Sequence, residues 1–143
     1  MPDEAAARSI LEAAHAAWSR GDVDGVLSCY VDDLIFWCNT GGPDGGPLTV
    51  EGKKDFRAFL LRMKSAEGHS IVEFFRFSDG IGRALIRGVI RHKRTGHKLA
   101  GTFRQVVYYR DNKIARLEEY HDAARMAAFW RLVAGEAIDD DPT

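Results

Sequence analysis

The sequence predicts an α+β domain: a strongly curved antiparallel sheet wrapped around N-terminal helices into a cone, with a pocket and a closing C-terminal helix. Three observations lead there. Apolar residues recur at helical spacing through the first half of the chain, four alternating strand patterns then follow without interruption, and one more helical pattern comes after them. The chain has 143 residues, enough for one core, and 45% hydrophobic against 29% charged residues is the profile of a globular protein. The domain is expected over 1–134, with 135–143 a frayed acidic tail.

From Asp3 to Arg20, the residues Ile10, Leu11, Ala14, Ala17 and Trp18 share one helical stripe, and Gly21 ends it. Asp22 can cap a short second helix in which Val23, Val26, Leu27 and Tyr30 sit at i, i+3, i+4 and i+7. Leu34 to Cys38 reads as a strand, and the Gly- and Pro-rich stretch from Asn39 to Pro47 as a loop at the rim of the pocket. A third helix is predicted over Val50–Ser65, burying Phe56, Phe59, Leu60 and Met63 and exposing Lys53, Lys54, Arg57 and Lys64. Strands His69–Ser78, Gly82–Lys93, His97–Tyr109 and Lys113–His121 are separated by good turn chemistry and should form a meander. Asp122 caps the closing helix, whose buried stripe is Met126, Phe129, Trp130 and Val133.

Charge is unevenly distributed. Residues 1–52 hold 2 basic and 9 acidic side chains, residues 53–116 hold 16 and 5, and residues 117–143 hold 2 and 7, which sums to the net −1. The arginines of the middle block recur at strand spacing without aromatic interleaving, so pairing within or between subunits is favoured over a nucleic-acid footprint. No window approaches the roughly 18 apolar residues of a membrane span, and the acidic start does not look like a secretory signal. Cys29 and Cys38 have neither the number of a disulfide framework nor the spacing of a zinc site, so reduced thiols and a cytoplasmic location are expected.

Alternation along the strands separates two faces. Ala84, Ile86, Gly88, Ile90 and His92 should face the pocket, as should Phe103, Gln105, Val107 and then Leu117, Glu119, His121. A three-residue loop at Asp111–Lys113 would set Arg110 opposite Ile114 and pair Val107 with Leu117, Gln105 with Glu119 and Phe103 with His121. A two-residue turn would instead shift the pairing by one and bring Glu118 beside Gln105. The other face carries Arg83, Arg87, Arg91, Arg104 and Arg116 with Glu73, Glu118 and Tyr120 around Leu85, Val89, Val106 and Tyr108. A solvated face or a two-fold homodimer contact would fit this pattern.

The run Trp18-Ser-Arg-Gly-Asp-Val-Asp-Gly-Val-Leu-Ser-Cys-Tyr-Val-Asp-Asp33, the pair Glu51-Gly52 opening the third helix, and Asn112-Lys-Ile-Ala-Arg-Leu-Glu-Glu-Tyr-His-Asp122 resemble the nuclear transport factor 2-like superfamily, specifically its SnoaL-like and ketosteroid-isomerase-like branch. The resemblance implies the cone fold and a homodimer through the outer sheet face. Because the fold hosts enzymes, binding modules and dimerisation domains alike, function has to come from the site. Steroid isomerases of this fold use a carboxylate base, a tyrosine and a protonated acid, and the corresponding positions here are Cys38, Ala14 and Gln105. Steroid isomerase activity is therefore not expected. Epoxide hydrolases of the fold use an Asp-Arg-Asp set, matched here by Phe103-x-Gln105 and Glu119, so that one carboxylate of two survives. Polyketide cyclases of the SnoaL kind need only one acid/base group in an apolar pocket, which this sequence supplies.

Glu119 and His121, two apart on one strand face, are the catalytic candidates; burial would raise the Glu119 pKa and let the pair work as acid and base near neutrality. The alternative is that Glu119 pairs with a buried arginine and His121 only packs. Gln105, Phe103, Trp18, Cys38, Leu117 and Leu60 are the candidate substrate-binding residues, with no metal and no cofactor expected. Cys38 reads as a small buried hydrophobe in preference to a nucleophile, and His15, near the Ile10/Trp18 stripe and within reach of the pocket mouth, as a surface residue in preference to a site residue. Two functions follow: a SnoaL-like enzyme using acid/base catalysis (isomerase, cyclase or hydrolase type) on a small apolar molecule, or a non-catalytic ligand-binding or dimerisation module.

Overall fold

In a computed structural model, residues 2–135 are described. They run α1 (Glu4–Ser19), α2 (Val23–Ser28), β1 (Tyr30–Cys38), β2 (Leu48–Glu51), α3 (Gly52–Arg62), β3 (Ala66–Ser78), β4 (Ile81–His92), β5 (Lys98–Arg110), β6 (Lys113–Tyr120) and α4 (Ala123–Gly135). The helix starts follow from their caps. Asp3 accepts from the Ala6 amide at 2.8 Å, Asp22 from Gly25 at 2.9 Å and Asp122 from Arg125 at 3.1 Å, each satisfying a donor that the first helical turn leaves unpaired.

One sheet holds all six strands in the order β2-β1-β6-β5-β4-β3. The meander β3 to β6 is antiparallel throughout, as its turn chemistry predicts, but β1 docks parallel to β6, placing Cys38 beside Glu119. Irregularities interrupt the ladder at Glu73, at Ala115 between β5 and β6, and between β1 and β6. Each adds local twist, and together they bend the sheet around α1. Leu11 on α1 meets a floor that includes Leu34, Ile86, Val107 and Ile114, all of them inaccessible to solvent or nearly so. Each such side chain contributes about 2 kcal/mol of burial. The Tyr109 hydroxyl donates to the Ala7 carbonyl at 2.8 Å, fixing the helix on the sheet.

Several elements differ from the sequence reading. The first strand starts at Tyr30 instead of Leu34, the third helix starts at Gly52, and Leu48–Glu51 forms an edge strand on β1 that the pattern does not announce. The β5–β6 connection is a two-residue turn, with Asp111 and Asn112 both left-handed at φ 54° and 57°. The three-residue loop is thereby corrected: Arg110 pairs with Lys113 and Tyr109 with Ile114. The bulge at Ala115 then takes up one residue, so Val107–Leu117 and Gln105–Glu119 pair as expected. The frayed tail expected over 135–143 lies, from 136 onward, outside the described residues.

The closing helix α4 buries Phe129 and Val133, stacks Trp130 edge-on against His92 at 6.3 Å, and is tied to the sheet by Arg94, which donates to the Val133 carbonyl at 3.0 Å. Among the described residues no helix is long and apolar enough to cross a membrane.

Candidate active site

Between α1, α3, α4 and the concave face of the sheet lies a cavity of about 930 Å³. Its walls are apolar: Trp18, Phe36, Phe56, Phe59, Leu60, Phe103, Leu117, Met126 and Trp130 supply most of the lining. Of the aromatic residues that could have built it, Trp37 points instead to the outer face, where its ring meets Tyr120 at 5.2 Å. The loop that follows β1 forms one lip through Thr40, Gly41, Asp44 and Gly45. All eight candidate residues of the sequence reading, Glu119, His121, Gln105, Phe103, Trp18, Cys38, Leu117 and Leu60, line this one space.

Its polar groups converge on the ends of β5 and β6. Glu119 Oε1 lies 3.5 Å from His121 Nε2, and the Gln105 amide donates to Glu119 Oε2 at 3.0 Å. Burial disfavours the Glu119 carboxylate, yet the hydrogen bond and charge of His121 and the hydrogen bond from Gln105 outweigh it and hold its pKa below the ordinary value. Burial likewise opposes a charge on His121, but contacts with Cys38 and Glu119 prevail and its pKa is pushed up to about 10. The pair is an ion pair at neutral pH. This corrects the expected raised Glu119 pKa: His121, the expected partner two residues away on the same strand face, is cationic, and its charge outweighs burial. No arginine takes that role.

The position of His121 is set from two sides. Phe103 stacks on its ring at 4.4 Å, and Asn39 clamps its backbone, accepting from the His121 amide and donating to the His121 carbonyl, both at 2.9 Å. Cys38 Sγ, one Glu119 oxygen and one His121 nitrogen all lie within 4.8 Å of one another. This mixed sulfur, oxygen and nitrogen set is the nearest approach to a metal centre among the described residues. A cation bound there would have to displace the proton that Glu119 and Cys38 hold on the imidazole.

One participant was misplaced in the sequence reading. His15 is not on the surface: it is 9% exposed and lines the cavity, with Nδ1 2.6 Å from Ser70 Oγ and Nε2 2.8 Å from Gln105 Oε1. Burial lowers its pKa, against the pull of Gln105 and Glu119. The signal was present in the sequence, because Leu11, Ala14, His15 and Trp18 sit at i, i+3, i+4 and i+7 on the buried stripe. Ser70 and Asn39 gave no comparable sign.

A curved α+β cone enclosing an apolar cavity is the fold of the nuclear transport factor 2-like solved structures to which the chain is similar. Within it, the chain belongs to the SnoaL-like domain family, whose profile matches residues 11–117. Among solved structures it is similar to a Xanthomonas campestris protein described as a polyketide cyclase (20% identity, 88% of this chain and 97% of that one, TM-score 0.69). It is also similar to TerC co-crystallised with polyporic acid (18% identity, 87% and 97%, TM-score 0.75) and to an LEH-like epoxide hydrolase of M. tuberculosis (16% identity, 96% and 99%, TM-score 0.72). At these identities the likeness is one of fold. No curated protein matches the chain.

Proposed function

We propose that the protein is a cofactor-independent enzyme that performs acid/base chemistry, of the isomerase, cyclase or hydrolase type, on a small apolar and often cyclic molecule. The observation that carries this reading is the Glu119–His121 ion pair at the floor of a mostly apolar cavity. Such pockets, with few convergent polar groups, suit the binding of an apolar body and the handling of one reactive point. Glu119 is the proton acceptor. His121, already protonated, donates to the substrate oxygen on which charge develops, so that one proton leaves the substrate as another is supplied. Gln105, Phe103, Trp18, Cys38, Leu117 and Leu60 hold the substrate against the pair. Steroid isomerisation is not part of the proposal, since Cys38, Ala14 and Gln105 supply neither its base nor its oxyanion acids.

A second reading has its own support. An ion pair that satisfies itself and holds Glu119 below ordinary basicity is what a binding module would keep for structure. A thermal-shift screen of apolar cyclic ketones, phenols and epoxides separates the two when its hits are assayed for turnover. Turnover that is lost in Glu119→Gln while binding persists supports the enzyme; hits bound equally by both proteins and never converted support the module.

The outer sheet face is proposed as the contact of a homodimer, because Ile71 and Phe74, 61% and 54% exposed, extend the apolar patch of Leu85, Val89, Val106 and Tyr108. The two free thiols, Cys29 and Cys38, fit a reducing, cytoplasmic setting.

A further inference from the structure

We propose that His15 is a positioning residue that holds the Gln105 amide from its oxygen end, with the NH₂ toward Glu119, and through it the state of Glu119; this rests on the reading of Glu119 as the proton acceptor. The argument begins at the carboxylate. An ionised carboxylate can only accept, so the Gln105 group 3.0 Å from Glu119 Oε2 is the amide NH₂. The Gln105 oxygen must then face the other way, toward His15 Nε2 at 2.8 Å, and two acceptors cannot share that distance. His15 Nε2 therefore carries the ring hydrogen. Nδ1 is left as an acceptor, and the Ser70 hydroxyl 2.6 Å away is its donor. Ser70 is itself held to α1, because its amide donates to Ser19 Oγ at 3.0 Å.

The chain Ser70, His15, Gln105, Glu119 thus has one self-consistent direction. Without the His15 donor, Glu119 alone orients the amide and the buried Gln105 oxygen loses its partner, so the NH₂ is held less firmly against the carboxylate. The groups that face Glu119 from each packed element are His15 on α1, Tyr30 and Cys38 on β1, Gln105 on β5, and His121 following β6. Of these, His15 is the one that acts by orienting another residue. A neutral ring is required for a purely positioning role, because a protonated ring, able to donate to the Ser70 oxygen as well as to Gln105, would act on Glu119 by its charge.

Two measurements test this. In the wild type, nitrogen-15 NMR of the imidazoles should show His15 as the neutral Nε2–H tautomer at neutral pH. In His15→Leu, the Glu119 carboxyl should titrate about one pH unit higher and the His121 ring lower than in the wild type. His15→Gln, whose single amide offers a donor toward Gln105 and an acceptor toward Ser70, should restore both midpoints. A His15 ring found protonated or with hydrogen on Nδ1 at neutral pH overturns the proposal, and that reading needs no variant to fold. Unchanged midpoints in a folded His15→Leu, or a His15→Gln that behaves like it, overturn it as well. Both measurements are independent of turnover, so a protein that shows these shifts but converts nothing sinks the enzyme reading and leaves the role of His15 standing.

Discussion

Glu119 and His121 bear opposite charges in a site that neither would occupy charged on its own, and their effect on stability has a defined pH window. A carboxylate whose folded pKa is depressed below its ordinary value of 4.5 stabilises the fold above that value and stops doing so as pH falls through the folded pKa. His121, raised from 6.5 to about 10, contributes fully below 6.5 and loses its contribution as pH rises toward 10. The two contributions overlap most between pH 4.5 and 6.5. Glu119→Gln should accordingly cost about 2 kcal/mol at pH 6, because it leaves a buried imidazolium without its anion, and much less at pH 3. Urea denaturation at both pH values checks this; equal losses at the two would contradict an ion pair.

At the scale of elements, the site depends on how closely α1 approaches β3. Gly68 lies directly under the Trp18 ring, and a Cβ built there would meet Trp18 Cη2 at 1.8 Å. Gly68→Ala must displace the indole into the cavity or away from the sheet. Expected are a shift in tryptophan emission and a loss of affinity for bulky pocket ligands of about tenfold, equivalent to about 1.4 kcal/mol, with smaller ligands less affected. The faces of the strands were legible from the sequence because alternation is a local property: Phe103, Gln105, Leu117 and Glu119 needed only period two. Two errors had non-local causes. The two-residue turn at Asp111-Asn112 is reconciled with the correct register only by the bulge at Ala115, which has no sequence mark of its own. The edge strand Leu48–Glu51 is four residues long, too short for a period to show. His15 was misread for another reason. Histidine is polar by type, so its place on the apolar stripe was discounted, although Ser70 and Gln105 were available to satisfy both ring nitrogens.

For the whole molecule, the outer face decides the assembly. Around Val89 the sheet presents Ile71, Phe74 and Leu85 among arginines, two of which are paired, Arg87 with Glu73 at 3.0 Å and Arg91 with Glu67 at 2.7 Å. A two-fold contact centred there would bring like residues together, so Val89→Glu should give monomers by light scattering where the wild type gives dimers at micromolar concentration. A wild type that is monomeric under those conditions would contradict the interface. The parallel docking of β1 against β6 bears on how the chain reaches this state. Asn39 and His121, which clamp each other across that seam, are 82 residues apart in sequence, so the loop between them must close before either is held. During synthesis, β1 and β2 emerge long before their sheet neighbour exists, and their open edge has to be sheltered until β6 leaves the ribosome. During synthesis the seam between the first strand and the last therefore cannot form before β6 has emerged, and the pocket floor acquires its chemistry only when the chain is nearly complete.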